Sequence, residues 1–192
     1  MKTELLVFQA KSFYNAYIAL EQINLSCEQP MMYYVPMLVN GAFSIEITLK
    51  ALLAKNNIGY GKEHNILLLF QQLPDERKVE LLNHLFEKAP KYSSFDKCVE
   101  ELILISNAFV DWRYPFEGKA APAFDARFLS AFANAAIWTM LSHYNVDVVP
   151  SAEKKKTDEE IEALFRKNRE DYITVNLEKI QKKTNFPSIK NV

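Results

Sequence analysis

Apolar residues recur at intervals of three and four through most of the first 145 residues, and this spacing restricts the fold more than any other feature. The first segment shows it at Leu5, Phe8, Phe13, Tyr17, Leu20 and Ile23. A repeat of about 3.6 residues places such side chains on one face of an α-helix, whereas a half-buried strand needs strict alternation. The chain is therefore predicted to be built from amphipathic helices.

Prolines, asparagines and capping residues divide this pattern into segments. Six helices are predicted, over residues 3–24, 36–57, 66–73, 76–89, 94–112 and 124–144. Pro36 is expected in the first turn of the second helix, where its missing N–H is tolerated, and Asp75 is expected to cap the fourth. Helices with short connections and no strand pattern predict an all-α fold, an up-and-down four-helix bundle with additional short helices.

The composition changes after residue 145, where a charged segment begins. Residues 1–145 are predicted to form the helical bundle. Residues 146–192 are predicted to be a C-terminal appendage with one short helix, which begins with a capping box of Thr157 and Glu160. The appendage holds ten Lys or Arg residues against nine Asp or Glu residues. Because these charges nearly balance, we expect it to contact the bundle or a protein partner rather than nucleic acid.

Cys27 and Cys98 are the only cysteines, and no CxxC motif is present. Two thiols without a framework pattern predict reduced, buried cysteines in a cytosolic protein. The first residues lack the apolar stretch of a signal peptide, and no run of about eighteen apolar residues occurs. The sequence thus predicts a cytoplasmic protein that does not enter a membrane.

The strongest signatures of known enzyme classes are missing. The sequence has no GxxxxGKS or GxxxxGKT phosphate loop, no GxGxxG, no GxSxG and no HExxH. His64, His84 and His143 fall on three separate elements without metal-ligand spacing. We therefore expect neither a metal nor a cofactor. The net charge of −1 gives no overall basic field for nucleic acid and leaves only a local patch.

Arg113, Tyr114 and Glu117 surround the point where Pro115 stops a predicted helix. In a structural interpretation, the cation of Arg113 interacts favourably with the helix C-terminus and pairs with a neighbouring carboxylate. In a functional interpretation, its planar guanidinium binds a phosphate and Tyr114 offers a stacking face. The sequence leaves both interpretations open.

Glu46 and Lys50 lie four residues apart in the apolar stretch GAFSIEITLKALL, in the favourable order for a helical ion pair. Few polar neighbours surround them, so the pair is expected to be partly buried, and buried charges are retained only when matched. His64, in GKEHN, is expected to be a cap or turn residue, with ligand binding as its alternative role.

Three blocks in this order resemble the HEPN family (higher eukaryotes and prokaryotes nucleotide-binding domains). They are the helix NGAFSIEITLKALL, the loop GKEHNILLLFQQLP and the block FVDWRYPFEG. The matching residues are Ala42, Glu46, Leu49, Lys50, Ala51 and Leu52, then His64, Asn65 and Ile66, then Arg113, Tyr114 and Pro115. The resemblance covers residues 1–145 and implies an up-and-down four-helix bundle, in agreement with the periodicity.

The resemblance also implies a function. HEPN proteins commonly form homodimers, and many act in bacterial defence or in toxin–antitoxin pairs. Their catalytic branch is a metal-independent endoribonuclease with an R-x4-6-H motif on a late helix, and no histidine follows Arg113 at that distance. We therefore expect a non-catalytic member that binds a nucleotide, RNA or a protein partner. The expected ligand-binding residues are Arg113, Tyr114, Glu117, Glu46, Lys50 and His64.

Arg77 and His84 carry the alternative, an endoribonuclease. They lie seven positions apart in one predicted helix and so share a helix face. His84 would transfer the proton and Arg77 would hold the phosphate. A second alternative is a scaffold protein whose segment 146–192 docks to a partner.

Overall fold

The computed structural model describes residues 2–26, 31–106 and 125–144, all within the unit Met1–Asn145. Every regular element among these residues is helical. The elements are α1 (Lys2–Ser26), α2 (Met31–Lys55), α3 (Ile66–Gln72), α4 (Asp75–Lys88), a 3₁₀ turn (Pro90–Tyr92), α5 (Phe95–Ile105) and α6 (Ala126–His143). The predicted all-α class is confirmed for this part of the chain.

Helix α2 lies at the centre of the core. It packs against α1, α3 and α6, and α6 in turn packs against α4 and α1. The apolar stripe of α2 is completely buried: Leu38, Ala42, Ile45, Leu49, Leu52 and Leu53. Burial of each large aliphatic side chain contributes about 1.5–3 kcal/mol. Because three helices hold α2, it is a fixed support for the polar groups that it carries.

A glycine allows three of these helices to approach closely. A Cβ added to Gly41 of α2 would lie 2.9 Å from Cδ2 of Tyr17 on α1 and 3.2 Å from Cδ2 of Leu129 on α6. The Tyr17 ring is buried, and its hydroxyl donates to Oε1 of Glu21 at 2.7 Å. The close approach explains why the chain carries a glycine here, although glycine costs about 1 kcal/mol inside a helix.

Two predicted helix starts were wrong. Pro36 lies inside α2, which begins five residues earlier at Met31. The helix continues through the proline because the missing N–H removes one hydrogen bond only, the one to the carbonyl of Met32. Asp75 is the first residue of α4 rather than its cap, and Pro74 occupies the cap position. The Asp75 carboxylate instead accepts from Nζ of Lys78 at 3.0 Å and complements the helix dipole.

Helix α2 ends in a left-handed turn at Asn57, whose φ is 57°. The N–H of Ile58 donates to the carbonyl of Leu53 at 2.9 Å, and the N–H of Asn57 donates to that of Ala54 at 3.1 Å. This pair of bonds is a Schellman motif, which satisfies carbonyls that a helix end leaves free. The turn directs the following loop back along α2.

Helix α2 is also long and apolar enough, by length and composition alone, to cross a membrane. Its segment Met32–Lys55 has a mean hydropathy of 1.4. However, 78% of that window is buried inside the protein. The burial matches the position of α2 at the centre of the core, because a helix that packs against other helices inside a protein can be this apolar.

Several predictions concern residues outside the described ranges. They are those for Arg113, Tyr114, Glu117, Cys27 and the charged segment 146–192. Cys98 is described, and it is a free, buried thiol, as predicted. Burial, with a smaller effect of Glu101, raises the pKa of this thiol to about 12. Cys98 is therefore protonated at neutral pH and serves as a core residue.

Candidate functional site

A buried carboxylate, Glu46, is the centre of the candidate site. Its side chain is 1% exposed and lies among the buried residues of α2. Nζ of Lys50, one helical turn later, donates to Glu46 Oε1 at 2.7 Å. Lys50 is itself 9% exposed. The predicted buried ion pair is therefore present.

The third predicted residue, His64, joins this pair from the loop that follows α2. Its Nδ1 lies 2.9 Å from Oε1 of Glu46, and its side chain is 55% exposed. With a proton on Nδ1 the ring donates to the carboxylate, and Nε2 is left for another partner. The structure thus brings Glu46, Lys50 and His64 together, and His64 connects the buried carboxylate with the surface.

Local hydrogen bonds fix the position of His64. The Glu63 carboxylate accepts from the N–H groups of His64 at 2.9 Å and Asn65 at 2.7 Å. The Asn65 side chain caps α3 by accepting from the N–H of Leu68 at 3.0 Å. The N–H of Ile66 donates to the carbonyl of Ser106 at the end of α5, at 2.8 Å. The residue that caps α3 is Asn65 and not His64, and the His64 ring contacts Glu46 instead.

The second carboxylate oxygen of Glu46, Oε2, is buried and accepts no hydrogen bond from the described residues. A buried acceptor without a donor costs about 1–3 kcal/mol. Nζ of Lys50, which pairs with Oε1, also lies 5.7 Å from the centroid of the Tyr60 ring. The site therefore combines a fixed cation, an exposed imidazole and one carboxylate oxygen that can still accept a hydrogen bond.

A second polar cluster connects α4 with the end of α6. His143 Nε2 lies 2.7 Å from Oε2 of Glu80, and the Arg77 guanidinium contacts both side chains. Ser142 Oγ donates to Oε1 of Glu80 at 3.0 Å. Burial alone would raise the pKa of Glu80, but hydrogen bonds from His143, Ser142 and Arg77 lower it below its ordinary value. Glu80 is thus ionised at neutral pH and is paired with Arg77.

The histidine that meets Arg77 is His143, and not the His84 of the sequence-based alternative. Arg77 and His84 both lie on α4, and the guanidinium of Arg77 contacts the side chains of Glu80 and His143. The sequence could not join Arg77 to His143, because 66 positions separate them. The sequence offered one weak indication that His143 has a role: it lies in the last turn of a predicted helix, where a protonated histidine complements the helix dipole.

The described residues contain no group of three or more His, Cys, Asp or Glu side chains that could hold a metal ion. The Glu46 cluster (Glu46, Lys50 and His64) has one carboxylate and one imidazole. The Glu80 cluster (Arg77, Glu80, Ser142 and His143) also has one of each. Each of these carboxylates has a cation beside it, which opposes the binding of a second one. The chemistry of both clusters is therefore that of hydrogen bonding and charge pairing.

Comparison of the chain with protein-family models, with curated proteins and with solved structures finds no match in any of the three. The resemblance to the HEPN family rests on the three sequence blocks. Within those blocks, the structure places Lys50 and His64 both in contact with Oε1 of Glu46.

Proposed function

We propose that this chain is a non-catalytic HEPN-like protein, an up-and-down four-helix bundle with additional short helices, that binds a nucleotide or RNA at the Glu46 cluster. Arg113, Tyr114 and Glu117 complete the proposed site on the strength of the sequence blocks alone. The observation that carries the proposal is the buried Oε2 of Glu46, which lacks a donor among the described residues. Because Oε2 is buried, a ligand must displace neighbouring side chains to reach it, and a hydrogen bond donated there removes a cost of about 1–3 kcal/mol.

A nucleotide carries both a hydrogen-bond donor for the Glu46 carboxylate and a phosphate that accepts hydrogen bonds from cations and imidazole. The exocyclic amino groups of cytosine and adenine donate hydrogen bonds, and a glutamate is a common acceptor for the cytosine amino group. The phosphate accepts hydrogen bonds from cations and from imidazole, as His64 at the surface and Arg113 would supply. Among the expected ligand classes, a protein partner has weaker support because nothing in the cluster selects a peptide.

We further propose that the protein is a cytoplasmic homodimer that acts in bacterial defence or in a toxin–antitoxin pair. The setting follows from the family resemblance. The dimer also has support from α1, where Leu5 is 56% and Phe8 is 68% exposed. Large apolar side chains side by side on a surface are typical of contact with another chain.

Thermal unfolding with and without ligand tests the binding proposal. We expect CMP and a short cytosine-containing RNA to raise the Tm of the full chain, since a ligand that binds only the folded state stabilises it. Arg113→Ala is expected to reduce this rise and to leave the helix content unchanged by circular dichroism. Lys97→Ala, on the exposed side of α5, is the matched control and is expected to retain the full rise.

The binding proposal fails if no nucleotide or RNA raises the Tm of the wild-type protein. It also fails if Arg113→Ala unfolds the protein, because Arg113 would then be structural. Equal loss of ligand stabilisation in Arg113→Ala and Lys97→Ala would indicate nonspecific attraction to the charge of the ligand.

One observation favours a second candidate function, a metal-independent endoribonuclease. An arginine, a histidine and a carboxylate meet at Arg77, Glu80 and His143, and the first two types suit phosphate binding and proton transfer. In this candidate His143 takes the role that the sequence gave to His84. The carboxylate would orient the imidazole.

Incubation of the purified protein with RNA in the presence of a chelator tests this second candidate. Cleavage that His143→Ala abolishes and His84→Ala retains would establish His143 as the catalytic histidine. Cleavage that only His84→Ala abolishes would instead restore the pair Arg77 and His84. No cleavage by the wild-type protein would leave the cluster as a structural link between α4 and α6.

A further inference from the structure

A groove away from the Glu46 cluster runs between α1, α6 and the end of α4. Its volume is about 640 Å³, within the range of about 300–1,000 Å³ for small-molecule sites. The lining residues are Tyr14, Ile18, Glu21, Lys88, Ala89, Lys91, Tyr92, Ala126, Arg127, Ser130, Ala131 and Asn134. Glu46, Lys50 and His64 take no part in this lining.

Contacts between α1 and α6 show how the two helices beside the groove are oriented. Asn134 Nδ2 donates to the Tyr14 hydroxyl at 2.8 Å, and Tyr17, later in α1, and Leu129, earlier in α6, both lie against Gly41. Helices α1 and α6 are therefore antiparallel here. The groove extends from Arg127 to Asn134, a distance of about 10 Å along α6.

Three cations gather at the Arg127 end. Lys88 and Lys91 reach the lining from the end of α4 and the 3₁₀ turn, beside the beginning of α6. Their side chains are 66% and 55% exposed, and that of Arg127 is 80% exposed. Among the described residues the lining contains one carboxylate, Glu21, and its Oε1 accepts from the Tyr17 hydroxyl at 2.7 Å. Lys88 Nζ also donates to Oε1 of Glu87 at 3.1 Å, and Lys91 and Arg127 pair with Asp125, so the cations at this end are partly neutralised.

Asp125 holds two of these cations in place. Its Oδ2 accepts from Nζ of Lys91 at 2.8 Å and from the Tyr92 hydroxyl at 2.8 Å. Its Oδ1 accepts from Nε of Arg127 at 3.0 Å, and Oδ2 from Nη2 at 3.1 Å. Nη1 of Arg127 and two hydrogens of the Lys91 ammonium take no part in these bonds. Both cations are thus oriented and still have donors for an anion.

The rest of the groove is suited to the uncharged part of a ligand. Ile18, Ala89 and Ala131 give it apolar walls, and Ser130 and the amide of Asn134 add hydrogen-bonding groups along α6. Small side chains at positions 126 and 131 leave the space open. The groove therefore presents anion-binding groups at one end and a partly apolar slot beside them.

We propose that this groove binds a small phosphorylated molecule, with the phosphate at Lys88, Lys91 and Arg127 and an apolar or aromatic body along Ala131 towards Asn134. The geometry favours a phosphate because lysine and arginine donors converge at one end. The groove geometry favours a small molecule over a polymer, because the groove volume is that of a small-molecule site. This site goes beyond the proposed nucleotide site and does not depend on it.

Phenyl phosphate is the probe that tests the proposal, with phenol, inorganic phosphate and benzoate as comparisons. Binding to the full chain is followed by NMR titration of backbone amides. We expect phenyl phosphate to shift the amides of Arg127, Ser130 and Asn134, and to bind at least about tenfold more tightly than any comparison compound. Tighter binding of benzoate would overturn the assignment of a phosphate.

Two variants and one control complete the experiment. Lys88→Glu reverses an exposed charge, and Ala131→Leu fills the slot with a good helix former. Each is expected to weaken the binding of phenyl phosphate at least about tenfold. Lys97→Glu, an equal charge change on the exposed side of α5, is expected to leave the affinity unchanged. Equal affinity in all the variants, or no binding to the wild-type protein, would overturn the proposal.

Discussion

Asp125 connects the beginning of α6 with the 3₁₀ turn through one carboxylate. It caps α6 by accepting from the N–H of Arg127 at 3.0 Å, and it pairs with Lys91 and Tyr92 near the end of α4. Hydrogen bonds from the Arg127 side chain hold the pKa of Asp125 well below its usual range, against the opposing effect of burial, and Lys91 and Tyr92 lower it further. The ionised carboxylate therefore stabilises the fold.

Asp125→Asn tests this contribution, because asparagine keeps the cap and removes the charge. At pH 7 we expect the free energy of unfolding to fall by about 1–2 kcal/mol. A lowered folded-state pKa adds stability that is complete above the unfolded value near 3.8 and is lost as the pH falls below it. The difference between wild type and variant should therefore shrink below pH 3.8 in urea unfolding.

Asp96→Asn is the matched control, because Asp96 is exposed in the first turn of α5. It is expected to change the free energy of unfolding by less than about 0.5 kcal/mol. A difference between Asp125→Asn and wild type that persists unchanged at low pH would contradict the ionised role of Asp125.

The residues of the candidate site could be predicted only in part. The spacing of Glu46 and Lys50 within one helix indicated their pairing, because partners four apart are neighbours on a helix face. His64 was predicted as a candidate site residue but not as a neighbour of Glu46. The spacing of residues in the sequence does not predict the loop conformation that brings His64 back to α2. His143 was missed for the same reason, because its partners come from α4.

At the scale of helices, Gly41 determines how closely α1, α2 and α6 pack. Gly41→Ala would gain about 1 kcal/mol of helix propensity. The added methyl would also press on the buried Tyr17 ring, and such overpacking costs about 1–3 kcal/mol. We expect a net loss of stability of about 1 kcal/mol, measured by urea unfolding.

Gly59→Ala is the control for Gly41→Ala, because a Cβ at Gly59 meets nothing within 4 Å. It is expected to leave stability unchanged or to raise it by about 0.4–1 kcal/mol, since alanine restricts the unfolded chain. If Gly41→Ala is as stable as Gly59→Ala, the close approach of the helices does not depend on this glycine.

Helices were predicted better than their boundaries. The buried stripe of α2 followed directly from spacing, because a repeat of about 3.6 residues states which side chains share a face. The starts at Pro36 and Asp75 failed because cap preferences are statistical and yield to packing. Helix α2 packs along α1, and a rule based on local sequence does not include that contact.

For the whole molecule, the exposed start of α1 makes the proposed homodimer testable. Light scattering after size-exclusion chromatography is expected to give twice the chain mass of 22.2 kDa. Phe8→Glu should convert the protein to a monomer, because a charge on that face opposes burial in an interface. Its helix content is expected to stay unchanged.

Phe95→Glu is the control for the dimer, because Phe95 is 59% exposed at the beginning of α5, on another helix. It should leave the dimer intact. A monomeric wild-type protein, or equal dissociation by the two substitutions, would contradict the proposed α1 interface.

The claim that the buried Glu46 carboxylate recognises a nucleotide has its most direct test in isothermal titration with CMP and UMP. The two differ where cytosine has an amino donor and uracil has a carbonyl acceptor. We predict that the wild-type protein binds CMP at least about tenfold more tightly than UMP, and that Glu46→Gln loses this preference while its Tm shows that it is folded. Equal binding of CMP and UMP by the wild-type protein, or an undiminished preference in Glu46→Gln, would contradict the claim.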